Sequence, residues 1–561
     1  MSCIDKNTVP AFENRGIMLD VSRGKMASLD YLKHLAAWMS QVGYNILQLY
    51  CEDKLRLSLH PEIGMLTGTY SEAQIRELDG FCKEHGIELQ PCIQTYSHVH
   101  GILRLPGYSA LSENDTLFSF AAGNEKVYEF LEDELSETLP WFSSKTLNIN
   151  MDEAYDIGSD YSKNAVEKEG QGQVFLEHIL RVTEIAVKNG AETILLWGDI
   201  VSKYPELLPS LPQNVVVADW CYNPMDHYPS LIPYQEKGIR FWAAGGVSTW
   251  NSIFPRVRNS YINLIGFSSE AHERGAEGFL VTDWGDYGHA QPLGLSLYGY
   301  LLGGMQCISG SKTDPEEFEK LADRKIFCDP REKRAFRLLM DSNLAPDVQT
   351  GFKTMTIYAF FDDLLGGLSM TGNENYHAIS KEAFEILLSN GSEAHKLLKN
   401  VISEDCISHM DFPDEHWKAL FGDAFLSELA LSAWMTEYTG KKGLLGYKIL
   451  EGMDAEALTP DMILGYIAEI HLLYAELEEI RAEFEKVWLL RSYRKGIETC
   501  LSLFDRAGVQ LFKAVEWLAE QRLILVRRGR DSIQKYHGAD GYGILWTGDF
   551  RNLWDRAYPW H

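Results

Sequence analysis

Two adjacent carboxylates, Asp152 and Glu153, are the residues whose types best suit them to chemistry. A carboxyl pair can divide acid and anion roles when its surroundings push the two pKa values apart. An Asp-Glu dipeptide is common, so its place in the chain matters more than its presence. It closes TLNINMDEA, a segment that reads as a strand. Consecutive strand residues point to opposite faces, so both carboxylates reach one site only where the strand ends and the chain turns. Other strand-like segments end in similar residues: Asp20; Glu52 and Asp53; Gln94 and His98; Trp197 and Asp199; Asp219, Trp220 and Tyr222; Asp283, Trp284 and Asp286. Trp250 follows a further one. Singly, each has an ordinary explanation as a helix cap or a packing residue. Together they describe polar anchors set in aromatic walls, as a carbohydrate pocket requires.

The elements that must hold these residues alternate from Arg15 to about Gly304. Short apolar runs such as IMLDV, NILQLY, ELQPCIQT, ETILLWGD, VVVADWCY, IRFWAAGG and GFLVTDWGD read as strands. Between many of them lie segments of helical spacing, such as Leu29, Leu32, Leu35, Ala36 and Met39. Strands separated by helices pair in parallel, because parallel neighbours need crossover connections. Eight such units in residues 1–310 predict an α/β fold, a closed (β/α)8 barrel, with its site at the C-terminal ends of the strands. No glycine-rich phosphate loop follows the first strand, which argues against dinucleotide binding.

Beyond about residue 310 the strand texture stops. Ile467, Ile470, Tyr474, Leu477, Phe484 and Trp488 form one long stripe, and Phe504, Leu511, Val515 and Leu518 form another. Residues 311–561 are therefore expected to be an all-helical C-terminal domain. The stripes read as bundle core, with a homodimer seam as the alternative.

A formal net charge of -28 argues against nucleic-acid binding, which needs clustered Lys and Arg, and against an anionic membrane surface. No apolar run is long enough to span a bilayer. The start of the chain lacks the basic and apolar pattern of a signal peptide. The nine cysteines are scattered without CxxC pairs, so a cytoplasmic, reducing location is expected. His98 has no partners at metal-ligand spacing, and neither a metal nor an organic cofactor is expected.

At NINMDEAYDIG the chain resembles glycoside hydrolase family 20, the β-N-acetylhexosaminidases. Asn148, Met151, Asp152 and Glu153 match the family's strand-four motif, while Asn150 stands where the family usually has Gly. NRGIMLDVSRG, LQLYCED, PCIQTYSH, LLWGDI, FWAAGGVSTW and VTDWGD are similar to further family segments, in order, over about residues 12–305. The helical second half resembles a bacterial subgroup with helical C-terminal domains. The resemblance implies a retaining exo-hydrolase of terminal β-GlcNAc or GalNAc that works by substrate-assisted catalysis, an exception to the two-carboxylate scheme. It implies Glu153 as general acid and base, Asp152 as the residue orienting the 2-acetamido group, and Tyr222 as the holder of its oxygen. It places Arg15, Glu52, His98 and Asp286 around the sugar and Trp197, Trp220, Trp250 and Trp284 in an aromatic box. The implied partner is an oligosaccharide or glycoconjugate with a terminal β-hexosamine. Two alternatives stay open: a retaining glycosidase of the same fold with altered sugar specificity, and a non-catalytic carbohydrate-binding barrel.

Overall fold

Local signals start the helices that separate the strands. Ser28 accepts a hydrogen bond from the Tyr31 amide and caps α1 (Leu29–Gln41). Ser71 and Gln74 form a reciprocal capping box on α2 (Glu72–Glu84), and Asn124 caps α3 (Glu125–Thr138). Each cap satisfies amides that the first helical turn leaves without partners. The computed structural model describes residues 9–327, 329–350, 353–365, 379–399, 401, 414–534 and 536.

Eight parallel strands close on themselves in sequence order: β1 (Asn14–Asp20), β2 (Ile46–Cys51), β3 (Glu88–Ile93), β4 (Thr146–Asn148), β5 (Thr193–Trp197), β6 (Val215–Trp220), β7 (Phe241–Gly246) and β8 (Gly278–Asp283). The expected α/β barrel is thus present, and β8 pairs with β1 to close it. Two connections differ from expectation. The chain from β5 to β6 carries only short 3-10 turns. The strand expected over TLNINMDEA ends at Asn148, because Asn150, Met151 and Glu153 all have positive φ, at 60°, 68° and 52°. Extended pairing cannot continue through left-handed residues.

Two cores result from the alternation of side chains. Residues facing outward on the strands, such as Ile17, Leu47, Leu147 and Phe279, pack with the surrounding helices. Inside the barrel, Met18, Ile46, Leu195, Val216, Trp242 and Leu280 fill the interior and run continuously into Tyr50, Trp197, Tyr222, Trp250 and Trp284 at its C-terminal end. One wall of the interior is polar. Gln48 donates to Gln90 at 2.8 Å, and Asn148 donates to Gln48 at 3.1 Å. This amide ladder across β2, β3 and β4 satisfies groups that would be costly to bury alone.

The last barrel helices are α4 (Gln171–Lys188) before β5, α5 (Ile232–Lys237) before β7, α6 (Val257–Glu273) before β8, and α7 (Leu297–Ser309) after it. Among the described residues the later chain is helical, apart from a two-stranded hairpin at Gln349–Thr350 and Lys353–Thr354; the part of the expected helical domain beyond 536 lies outside the described residues. Its described helices are α8 (Pro315–Lys325), α9 (Pro330–Ser342), α10 (Met355–Phe361), α11 (Lys381–Leu398), α12 (Glu415–Phe421), α13 (Asp423–Asp454), α14 (Pro460–Leu489) and α15 (Ile497–Arg528). Phe318, Phe336, Trp417, Phe421 and Phe425 from this region join the barrel's outer core. The stripe on α14 is internal: Ile470, Leu477, Ile480, Phe484 and Trp488 pack with Phe360, Tyr438, Phe504 and Leu511. Among the described residues no helix is long and apolar enough to cross a membrane.

The turn between α14 and α15 is tied directly to the loops above the barrel. Ala27 and Ser492 form an isolated antiparallel bridge, with Ser28 N donating to Arg491 O at 2.7 Å and Tyr493 N to Met26 O at 2.9 Å. Gly496 has φ 92°, and a Cβ there would lie 2.0 Å from the Gly24 carbonyl oxygen, so only glycine fits this approach. Cys500 Sγ donates to Gly288 O at 2.8 Å. The buried Lys25 donates to Gln291 O at 2.5 Å and lies 4.6 Å above the Trp488 ring. The helical region thereby holds both the loop after β1 and the loop after β8.

Candidate active site

The left-handed turn after β4 is what brings the two carboxylates together. Asn148 Oδ1 accepts the Asn150 amide at 2.9 Å and fixes the start of the turn. Asn is among the non-glycine residues most tolerant of positive φ, which accounts for an Asn where the resembled family usually has Gly. Its side chain is also used: Oδ1 accepts from Trp197 Nε1 at 2.8 Å and from Cys92 Sγ at 3.3 Å. At the end of the turn, Asp152 is buried while the Glu153 side chain remains 39% exposed.

Asp152 Oδ1 accepts from Gln94 Nε2 at 2.7 Å, and its backbone carbonyl accepts from the Ser97 hydroxyl. His98 Nε2 stands 3.4 Å from Asp152 Oδ2 and 3.3 Å from Glu153 Oε2. Burial alone would lower the His98 pKa, but Asp152 and the contacts to both carboxylates raise it to about 10. The effect is mutual. Burial pushes both carboxyl groups up, and His98, with help from Arg23, brings both below their ordinary values. Glu153 is oriented through its backbone, whose amide donates to Asp199 Oδ2 at 2.9 Å. Burial, reinforced by the charge of Asp152, pushes Asp199 up to about 7.

Beside this pair lies a cluster centred on Arg23. Its guanidinium donates to Asp20 at 2.9 Å and lies 3.4 Å from Glu52 Oε1 and 3.5 Å from Asp286 Oδ1. It sits over the rings of Tyr50 and Trp284, at 4.9 and 5.1 Å. Burial raises Glu52 to about 7 and Asp286 to about 6, with Arg23 opposing both shifts. Carboxylates held in this range around one cation can accept from neutral hydroxyls.

The aromatic residues line the adjoining wall. Trp284 Nε1 donates to the Tyr222 hydroxyl at 2.7 Å. Trp220 stacks on Tyr222 with ring centres 5.2 Å apart, Trp250 meets Tyr222 edge-on at 5.0 Å, and Trp197 lies 6.0 Å from Trp284. Burial pushes the Tyr222 phenol far above its usual value, so it stays protonated. The structure therefore gathers Asp152, Glu153, His98, Glu52, Asp286, Tyr222, Trp197, Trp220, Trp250 and Trp284 at one end of the barrel.

Arg15 is the exception and corrects the expectation made for it. It begins β1 and so lies at the opposite, N-terminal face. There its guanidinium donates to the backbone oxygens of Gly43, Phe12 and Glu13 at 2.7–2.8 Å. Arg23, three residues past Asp20 in the loop after β1, occupies the position by the pocket. The sequence did carry that signal, since Arg23 follows the C-terminal end of the strand and Arg15 precedes it. Gln94 and Asp199, already among the strand-end residues, contribute as well, and so does Tyr50, which sequence reasoning did not place in the site.

The barrel half of the chain is similar in sequence to known proteins. Residues 12–231 match the family model for glycosyl hydrolase family 20, catalytic domain. Human Hexosaminidase D is 22% identical over 300 residues, which cover 50% of this chain and 61% of that protein. A beta-hexosaminidase from Vibrio furnissii is 24% identical over 239 residues, covering 35% of this chain and 39% of that one. The chain thus spans less than two thirds of either relative. A solved β-N-acetylhexosaminidase from Bacteroides fragilis aligns over 56% of this chain and 69% of its own, with 20% identity and a TM-score of 0.47. The family match runs from just before β1 to beyond β6, across the turn that carries Asp152 and Glu153, so this part of the chain is similar to the catalytic domain of glycosyl hydrolase family 20.

Proposed function

We propose that the protein is a retaining exo-β-N-acetylhexosaminidase that releases terminal β-GlcNAc or β-GalNAc from oligosaccharides or glycoconjugates. The observation that carries this reading is the junction of an ionised Asp152 and a partly exposed Glu153 with a closed aromatic wall. In this reading the sugar's own 2-acetamido oxygen attacks the anomeric carbon, and an oxazolinium ion forms as the leaving oxygen departs. Asp152 accepts the acetamido N–H and stabilises the positive charge that develops there. Tyr222 donates to the acetamido oxygen, and Trp197, Trp250 and Trp284 exclude water around the methyl group. Arg23, Glu52 and Asp286 bind the hydroxyls of the terminal sugar. Glu153 protonates the leaving oxygen and then removes a proton from the attacking water. His98 is the proton store: with Nε2 3.3 Å from Glu153 Oε2, it can supply the proton that the ionised acid needs. Five buried free cysteines, Cys51, Cys82, Cys92, Cys307 and Cys500, support a cytoplasmic location.

The test compares aryl β-GlcNAc, aryl β-GalNAc and aryl β-glucoside, with a thiazoline analogue of the oxazolinium as inhibitor. Hydrolysis of the two acetamido sugars with strong thiazoline inhibition is expected, since transition-state mimics bind far more tightly than substrates. Equal turnover of the glucoside without thiazoline inhibition excludes the mechanism. No turnover of any of the three excludes the activity.

A further inference from the structure

Exposure rises outward through the turn that carries the catalytic pair. Asp152 is buried, the Glu153 side chain is 39% exposed, and Tyr155 is 51% exposed. The contacts of Glu153 divide along the same line. Oε2 faces His98, whose Nδ1 in turn lies 3.4 Å from Arg23 Nη2 in the inner cluster with Glu52 and Asp286. Oε1 faces the Tyr155 hydroxyl, which donates to it at 3.5 Å. An exo-acting pocket holds the terminal sugar on the inner side of its acid, so the group that leaves must lie on the outer side, against Tyr155. Lys203, in the loop after β5, places its ammonium 4.7 Å from the centre of the Tyr155 ring. It is exposed, so its remaining N–H groups point to solvent where the leaving group would emerge.

We infer that Tyr155 and Lys203 form the leaving-group side of the pocket and select a leaving sugar that carries a negative charge, such as a carboxylate or sulfate. The inference rests on the hexosaminidase reading of the site. Tyr155 supplies an aromatic face for the C–H surface of the second sugar, and its hydroxyl keeps the acid aligned with the glycosidic oxygen. Lys203 supplies the charge. An ammonium resting on an aromatic face is held by the ring quadrupole, so little side-chain freedom is lost when it meets an anion. The inner half of the site, by contrast, is rich in carboxylates and suits a neutral sugar. The outer side of Glu153 thus offers an exposed ammonium that the inner side does not, and this difference can orient a disaccharide that is charged at one end.

The experiment uses the full chain and three substrates: methyl β-GlcNAc, GlcNAc-β1,4-glucose and GlcNAc-β1,4-glucuronic acid. The wild type should show a severalfold higher kcat/KM on the glucuronic acid disaccharide than on the glucose one. Lys203→Gln should bring that ratio close to one, and Lys203→Arg should retain it. Tyr155→Ala should lower kcat/KM on both disaccharides relative to the methyl glycoside by about tenfold, since it removes the aromatic face against which the second sugar packs. Thermal melting of each variant separates misfolding from altered preference. A wild type that does not distinguish the two disaccharides, or a Lys203→Gln variant that still does, overturns the inference and leaves the hexosaminidase reading intact. No hydrolysis of any of the three substrates overturns that reading and this inference with it.

Discussion

His98 Nε2 lies 3.3 Å from Glu153 Oε2, so the proposed acid shares its surroundings with a group that holds a proton up to a pKa of about 10. This relationship decides which residue governs the alkaline limb of activity. With His98 present, the site keeps a transferable proton until His98 itself titrates. His98→Gln removes that store and leaves Glu153 to titrate alone, with its pKa released upward from the lowered value. Above that pKa the variant has no acid. The kcat/KM profile should therefore lose its alkaline shoulder, and activity at pH 7 should fall about 10²–10⁴-fold. An unchanged profile would remove His98 from the mechanism.

The same shift makes a stability prediction. The folded pKa of His98 is raised above its unfolded value near 6.5. Its contribution is fully present below that unfolded value and is lost as pH rises through the folded value near 10. The melting temperature of the wild type should fall more between pH 7 and 10 than that of His98→Gln. Parallel curves for the two proteins would show that the shift is absent.

Glu153→Gln keeps the shape of the side chain and removes the proton donor. Rates on a disaccharide with a poor leaving group should drop by about 10²–10⁴-fold, while aryl substrates with acidic leaving groups should lose less. Comparable losses on both would assign the effect to disturbed binding.

Arg23 and Arg15 make a matched pair of tests. Arg23 is caged by two rings and three carboxylates, and a lysine cannot reproduce the planar fork. Arg23→Lys should raise KM at least about tenfold, a loss of roughly 1.4 kcal/mol in binding. Arg15→Lys changes contacts to backbone carbonyls at the far face and should leave KM as it is. A KM change on Arg15→Lys with none on Arg23→Lys would reverse the assignment.

Asn150 serves as turn residue and as hydrogen-bond acceptor. Asn150→Gly keeps the turn but leaves buried Trp197 Nε1 without its acceptor, a cost of about 1–3 kcal/mol. Asn150→Ala adds the strain of a left-handed alanine, about 1–2 kcal/mol more. Urea unfolding should rank wild type above the glycine variant and the glycine variant above the alanine one. A glycine variant as stable as wild type would show that the Trp197 bond contributes nothing.

The barrel was legible because its strands are buried on both faces and read as apolar runs, and because acids and tryptophans recur just past their ends. Connections and turns were less legible. TLNINMDEA has the composition of a strand, yet three left-handed residues end it at Asn148, and no period in the sequence marks a positive φ. The β5–β6 connection has no helix because its leucines pack through 3-10 turns instead. The Arg15 assignment followed the motif rather than the strand end, although the order of Arg15, strand and Arg23 already marked the arginine on the pocket side. The stripe on α14 was readable as bundle core, but not its proximity to the loop after β1, since contacts between distant segments leave no local pattern.

The bridge between Ala27 and Ser492, with Gly496 pressed on Gly24, bears on the order in which this protein is assembled. The loops that carry Arg23 and Asp286 belong to the barrel, but the surface that clamps them is translated much later. A growing chain with only its barrel outside the ribosome lacks this clamp on one side of those two loops. The clamp on those loops is complete only when the turn between α14 and α15 is in place.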